Sequence, residues 1–252
     1  MDSDYRARAV EKLARRDYRA AGDEYTRAAW DRLAAPREGQ SPFDADEKGW
    51  VGRALQRLAL AGVCYRVAGR DDRAENRAQE GVAVARDLEN ALTEPAQHAC
   101  LREFGADFHA IGGLDGVGEA YGDAEAAYRD AADSVDSVET LTTTPLFQAA
   151  AGMLRQVARG PDNGEIAVPW ETLHGPDPDD VGAFLAHRAR FKRQRFGSLL
   201  ARVADDGYLA APRGTTEYNN ANFRCPSCES TDVNWVTEHT LCLRCSTPMV
   251  ER

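Results

Sequence analysis

One spacing of aromatic and small residues recurs in the first 140 residues and constrains the fold more than any other feature. The stretches YRAAGDEYTRAA and YGDAEAAYRDAA align without a gap. Each carries two tyrosines and three alanines at the same offsets, namely Tyr18, Ala21, Tyr25, Ala28 and Ala29, and Tyr121, Ala124, Tyr128, Ala131 and Ala132. Residues at i, i+3, i+7 and i+10 share one helical face, so the pattern predicts helices whose large and small side chains interlock with a neighbouring helix.

A related stretch, GVCYRVAGRDDRAENRAQEG, lies between these two. Its small and aromatic residues fall at offsets 0, 3, 7, 12, 16 and 19, and they are Gly62, Tyr65, Gly69, Ala74, Ala78 and Gly81. This spacing resembles the tetratricopeptide repeat, in which small residues let two antiparallel helices approach closely. The resemblance implies a mainly α fold, an α-solenoid of helical hairpins whose groove binds a protein segment, with a generic helical bundle as the alternative.

The chain departs from a regular repeat in two places. Four glycines between residues 112 and 118 disfavour a continuous helix, so the first helix of the third unit is predicted at 95–110. The motif GGLDGVG follows a helix and precedes no Lys-Ser/Thr pair, so it is interpreted as a turn and not as a phosphate-binding loop. The segment 36–50 separates the first two units widely, and a further helix is predicted at 145–159, starting at Pro145.

A basic helix is predicted at 179–206, after a linker rich in Pro, Gly and Asp at 160–178. Residues 181–204 contain no acidic side chain. Its candidate contacts with nucleic acid or a partner are Arg188, Arg190, Lys192, Arg193 and Arg195. Arg188, Lys192 and Arg195 fall in the apolar arc of this helix and therefore require carboxylate or carbonyl partners if buried.

Two interpretations of this helix remain open. In the favoured one, it packs on the repeats and its arginines pair with acidic side chains there. In the other, Arg190 and Arg193 contact nucleic-acid phosphates while Phe191 or Phe196 stacks on bases.

Two Cys-x-x-Cys pairs lie near the C-terminal end of the sequence, at Cys225, Cys228, Cys242 and Cys245. Four thiolates at this spacing favour one structural Zn²⁺ ion, with redox-active CxxC chemistry as the alternative. Strands are predicted in DVNWV, HTLCL and TPMVE, and residues 223–252 resemble a zinc ribbon. Glu229 and Ser246 stand where that family usually has glycine, and His239 is a further possible ligand.

The composition bears on location and partners. Acidic residues outnumber basic ones by 41 to 31, and only Lys12, Lys48 and Lys192 are lysines. Acid-rich, lysine-poor composition is typical of halophilic archaeal proteins, in which molar salt screens long-range charge. The longest apolar run is too short to cross a bilayer and the first residues are charged, so we expect a cytoplasmic protein that does not bind membranes.

These features favour a non-enzymatic adaptor over an enzyme. We divide the chain into a repeat domain at 1–159, the linker at 160–178, the basic helix at 179–206 and the zinc ribbon at 223–252. The expected partner is a protein bound in the repeat groove, without a small-molecule substrate. The alternative is a transcription or translation factor that contacts nucleic acid through the basic helix and the ribbon. An enzyme is least expected because the histidines show no triad or metal spacing.

Overall fold

A computed structural model describes residues 2–34, 50–160 and 168–252. The protein is mostly helical, with a small antiparallel sheet at the C-terminal end. The first six helices are α1 (Asp2–Ala14), α2 (Tyr18–Ala34), α3 (Val51–Val67), α4 (Asp71–Glu89), α5 (Pro95–Gly112) and α6 (Val117–Asp130). They are followed by a 3₁₀ turn at Ala132–Ser134 and by α7 (Val138–Thr143), α8 (Pro145–Ala158), α9 (Trp170–Leu173) and α10 (Val181–Asp205).

From α1 to α6, each helix packs against the next one along the chain. Glycines permit the closest approaches, because a Cβ atom at Gly62 would lie 2.6 Å from Ile111 of α5, and one at Gly81 would overlap the ring of Phe108. Gly69, in the turn between α3 and α4, has a φ of +62° that favours glycine. The repeat spacing therefore marks real contacts between helices.

The glycine-rich stretch after α5 forms a turn, as the sequence predicts. Helix α5 runs to Gly112, two residues beyond the predicted 95–110. Gly113 and Gly116 then adopt left-handed conformations with φ of +66° and +78°, and α6 begins at Val117. Of the predicted wide separation at 36–50, only Trp50 lies within the described residues.

Two later helices cover one side of this stack. Helix α8 packs on α3 and α5, and α10 packs on α6, α5 and α8. Helix α10 starts where the Asp180 side chain accepts a hydrogen bond from the Ala183 N–H at 3.1 Å. None of the described helices is both long and apolar enough to cross a bilayer.

The C-terminal region consists of five short strands: β1 (Thr215–Glu217), β2 (Phe223–Arg224), β3 (Val233–Val236), β4 (His239–Cys242) and β5 (Val250–Glu251). One antiparallel sheet has the order β1-β3-β4, and β2 pairs with β5. The predicted strands in DVNWV and HTLCL correspond to β3 and β4, and the end of TPMVE forms β5. Strand β1 lies before residue 223, so the sheet also includes a strand from the preceding segment.

Hydrogen bonds fix this sheet region to the helices. The Arg159 guanidinium donates to the Ala211 and Leu243 carbonyl oxygens at 2.9 and 3.1 Å. His239 Nε2 lies 2.9 Å from the Ala7 carbonyl oxygen of α1. This sheet region (residues 215–251), called the ribbon below for its short paired strands, therefore rests on the first helix and the end of α8.

Candidate metal centre and interaction surfaces

The four cysteines of the two Cys-x-x-Cys pairs meet in one cluster, with all four sulfurs within 4.8 Å of one another. The Sγ–Sγ distances are 3.5 Å for Cys225–Cys245, 3.5 Å for Cys228–Cys242 and 3.6 Å for Cys228–Cys245. A tetrahedron with metal–sulfur bonds of about 2.3 Å has edges of about 3.8 Å. The donor set therefore fits one thiolate-coordinated metal ion.

The two pairs are held by equivalent turns. In the first, the Glu229 N–H donates to the Cys225 carbonyl at 3.0 Å, and in the second the Ser246 N–H donates to the Cys242 carbonyl at 2.9 Å. Glu229 and Ser246 are both left-handed, with φ of 62° and 60°. This is the conformation that glycine would adopt with less strain.

The hydrogen bonds of the Ser246 side chain explain why serine stands at this position and not glycine. It is buried, and its Oγ accepts the Ala211 N–H at 2.9 Å and lies 3.2 Å from the Tyr208 hydroxyl. Glu229 instead pairs with Arg224 at 2.6 Å on the surface. The second turn is therefore bonded to the segment that leads into the ribbon, while the first is not.

Three other residues of types that can bind a metal, His239, Cys64 and Cys100, lie outside this cluster. His239 contacts α1 and is not part of the sulfur cluster. Burial raises the pKa of Cys64, and raises that of Cys100 to about 12, so these two side chains stay protonated thiols. Among the described residues, the four ribbon cysteines form the group suited to a metal.

A second cluster joins α10 to α5 through buried charges. The Arg188 guanidinium donates to both carboxylate oxygens of Glu103 at 2.8 Å. Lys192 Nζ lies 2.7 Å from Glu103 Oε1 and 2.6 Å from Asp107 Oδ2. Lys192 and both carboxylates have no exposed side-chain surface, and Arg188 has 3 %. Buried charges require this degree of pairing.

Tyrosines from α6 complete the hydrogen bonding of this cluster. The Tyr128 hydroxyl donates to Glu103 at 2.6 Å, and the Tyr121 hydroxyl donates to Asp107 at 2.7 Å. Both belong to the repeat spacing found in the sequence. Tyr121 and Tyr128 thus fill space between helices and also donate hydrogen bonds to the carboxylates of α5.

The two carboxylates have different pKa values. Burial is the largest influence and raises both. For Glu103 the charges and hydrogen bonds of Arg188 and Lys192 outweigh it, so its pKa is held well below the ordinary range. For Asp107, burial and the charge of Glu103 prevail over Lys192, and its pKa rises to about 6.

The structure divides the five predicted contact residues of α10 into two sets. Arg188 and Lys192 are buried and cannot touch nucleic acid or a partner, whereas Arg190, Arg193 and Arg195 are exposed. The expectation that Arg195 lies in the apolar arc is wrong. Phe196 is buried beside Lys192 and cannot stack on a base, while Phe191 is partly exposed.

On the side of α5 and α6 opposite to α10 lies an open groove of about 710 Å³, which we call the α4–α6 groove. Helix α5 runs between its walls, with Gly105 and Ala106 in the lining, and α4 and α6 form the sides. Several of the lining residues of α5 and α6 are glycine or alanine, which keeps the groove open. The tetratricopeptide resemblance implies a groove in the repeat domain, but the repeat spacing does not indicate its place.

Carboxylates dominate the charge of the α4–α6 groove. Five acidic residues line it, namely Glu89, Asp115, Glu119, Asp123 and Asp130, against the arginines Arg86 and Arg102. Arg102 is already paired with Glu89 at 2.8 Å. All the acidic residues except Glu89 are exposed. The groove therefore presents a negative surface that favours a basic ligand.

Comparisons with protein-family models, with curated proteins and with solved structures found no match to this chain.

Proposed function

We propose that this protein is a non-enzymatic adaptor whose α4–α6 groove binds a basic segment of a protein partner. The observation that carries the proposal is the acidic lining of that groove on the same helix pair that binds the basic helix α10 on its other side. The intramolecular contact demonstrates that α5 and α6 accommodate a basic helix. The groove offers carboxylates to a second basic element.

The proposal includes a helical body of the tetratricopeptide type. Three hairpins, α1–α2, α3–α4 and α5–α6, follow one another in chain order. Gly62 and Gly81 permit the close contact of the middle hairpin with α5, as small residues do in such repeats. The proposed binding surface is the α4–α6 groove, because α8 and α10 already cover the side formed by α3 and α5.

The proposal gives the cysteine cluster a structural role, with Zn²⁺ as the bound ion. Four thiolate ligands leave no open coordination position for substrate or water. The second of its two turns contacts the end of α8 through the Leu243 carbonyl and the segment before β1 through Ser246. The metal then keeps the ribbon in place against the helical body.

Nucleic-acid binding is the competing function, and one observation favours it. Arg190, Arg193 and Arg195 are exposed on α10, and no salt bridge within the described parts of the chain engages them. Three arginines form a small phosphate-binding surface, since duplex contacts commonly use more. The adaptor proposal therefore takes precedence.

Affinity purification from cells of the source organism distinguishes the two functions. Wild-type protein is compared with the double variant Glu119→Lys and Asp123→Lys, and with Asp205→Asn and Asp206→Asn, which lowers negative charge at the exposed end of α10. We expect a nuclease-resistant protein partner that the groove variant loses and the control keeps. A partner that disappears on nuclease treatment, or binds all variants alike, contradicts the adaptor proposal.

A further inference from the structure

Helices α4, α5 and α6 alternate in direction, which fixes the residues that share each half of the α4–α6 groove. Near the end of α4, Glu89 pairs with Arg102, in the first half of α5, at 2.8 Å. Near the end of α6, the Tyr128 hydroxyl donates to Glu103 of α5 at 2.6 Å. These three segments therefore form one half of the groove, and the other half lies beside the turn between α5 and α6.

The charges differ between the two halves. The first half is balanced, with two cations and two carboxylates, namely Arg86, Arg102, Glu89 and Asp130. The second half contains Asp115 and Glu119, with Asp123 towards the middle, and its described lining includes no lysine or arginine. These three carboxylates are exposed, and no salt bridge in the described parts of the chain engages them. His109 also lines this half, and its Nδ1 lies 2.7 Å from the Asp115 carbonyl oxygen.

The carboxylates of the second half repeat a spacing that this molecule already uses to bind a helix. On the inner face, cations four residues apart on α10 meet carboxylates four residues apart on α5, namely Arg188 and Lys192 with Glu103 and Asp107. Glu119 and Asp123 of the groove are also four residues apart on one helix. Residues at this spacing share a helical face about 6 Å apart along the axis, so a helix with cations one turn apart matches them.

The space between the charged residues suits a helix as well. Val82 of α4 and Ala120, Ala126 and Ala127 of α6 line the walls and are exposed or partly exposed. A Cβ atom at Gly105 would have no neighbour within 4 Å, so α5 is open towards the groove at this point. Two helices that pack on either side of a third leave a furrow, in which a helix of about 10 Å diameter can lie.

We propose that the partner segment bound in the α4–α6 groove is an amphipathic α-helix whose cationic side chains lie one turn apart in one half, with small or apolar side chains in the other. This inference rests on the proposed function and names the class of segment bound. The cations pair with Glu119 and Asp123, and the apolar half lies over the balanced half of the groove. There the charge of Arg86 disfavours a further cation.

Fluorescence anisotropy of labelled helical peptides near 0.15 M salt, with the metal-loaded, full-length protein, tests this inference. The first peptide, built from Ala, Leu and Lys, has its lysines one turn apart in one half. The second has the same composition with the lysines spread evenly along and around the helix. The third is the first with a central proline, which breaks the helix. We expect the first to bind about fivefold or more tightly than either of the others.

Variants that each remove one negative charge locate the bound cations. Glu119→Gln should weaken binding of the first peptide about threefold, and more than Asp130→Asn in the balanced half. Glu139→Gln is the matched control, because Glu139 is an exposed residue of α7 outside the groove, and it should leave binding unchanged.

The inference is overturned if the three peptides bind alike, or if Glu119→Gln and Asp130→Asn weaken binding equally. In both cases, tighter binding of these peptides than of an acidic peptide would leave the proposed function standing. Binding no tighter than that of the acidic peptide would contradict the proposed function and this inference together.

Discussion

Helices α5 and α6 carry acidic side chains on two opposite faces, and the two faces differ in what neutralises them. On the inner face, Glu103 and Asp107 are buried and paired with Arg188 and Lys192 of α10. On the outer face, Glu119 and Asp123 of α6 line an open groove and stay exposed. The inner face shows how this scaffold accepts a basic helix, and the outer face has the same type of charge available to a partner.

Metal removal has the largest expected effect. It tests whether the ribbon can unfold while helices α5 and α6, which carry both faces, stay folded. Structural zinc sites contribute about 10–16 kcal/mol of apparent binding free energy in small peptides, so chelation or Cys225→Ser should unfold the ribbon. Hydrogen exchange should increase across residues 215–251 and stay low in α5 and α6. Unchanged exchange in the ribbon after chelation would show that no metal holds it.

Removing a carboxylate from the inner face is expected to have the next largest effect on the free energy of unfolding. Glu103→Ala leaves Arg188 and Lys192 buried with one carboxylate, and such losses cost about 3–5 kcal/mol. Glu119→Ala, on the exposed outer face, should change the free energy of unfolding by less than about 0.5 kcal/mol. Urea denaturation measures both. Equal costs for the two substitutions would remove the distinction between the faces.

The pH dependence of the inner face comes from Asp107, whose pKa is raised from 3.8 to about 6. Between those values the folded protein binds a proton there that the unfolded chain does not, so this contribution to stability is lost as pH rises towards 7. The opposite contribution of Glu103 is confined to pH values below about its ordinary pKa of 4.5.

Asp107→Asn isolates this contribution. From pH 5 to pH 7, the unfolding free energy of the wild type relative to the variant should fall by about 1 kcal/mol. Urea denaturation at pH 5, 6 and 7 measures it, with Asp123→Asn of the groove as the reference substitution. A difference that stays constant or grows with pH would show that Asp107 is ionised throughout.

The exposed arginines of α10 should have the smallest effect on stability. Replacing Arg190, Arg193 or Arg195 by Ala should change the free energy of unfolding by less than about 0.5 kcal/mol, because each is on the surface. Thermal unfolding compares them with Arg188→Ala on the same helix. A large loss at any of the three would place that residue in the buried interface.

The sequence predicts the parts of this structure that depend on local spacing. The cysteine spacing identifies a four-sulfur cluster, and the glycines after 111 predict the turn between α5 and α6. The contacts of Gly62 and Gly81 explain why those positions are small. Each of these depends on residues whose conformation or ligand chemistry is set within a few positions of the chain.

Contacts between distant segments were harder to predict. The apolar arc of α10 indicates that Arg188 and Lys192 need carboxylates, but nothing in the sequence selects Glu103 and Asp107, which are 85 residues away. Their i,i+4 spacing, with each acidic residue directly before a phenylalanine (Phe104 and Phe108), was the available signal for a buried acidic pair. The α4–α6 groove is assembled from three helices, so no single stretch indicates it.

The most direct test of the adaptor function is binding of a labelled arginine-rich peptide, followed by fluorescence anisotropy near 0.15 M salt, with an acidic peptide for comparison. The acidic groove predicts that the basic peptide binds preferentially. Glu119→Lys with Asp123→Lys should weaken binding about tenfold or more, while Asp205→Asn with Asp206→Asn leaves it unchanged. Equal binding of both peptides, or equal loss in both double variants, would contradict a partner site in the α4–α6 groove.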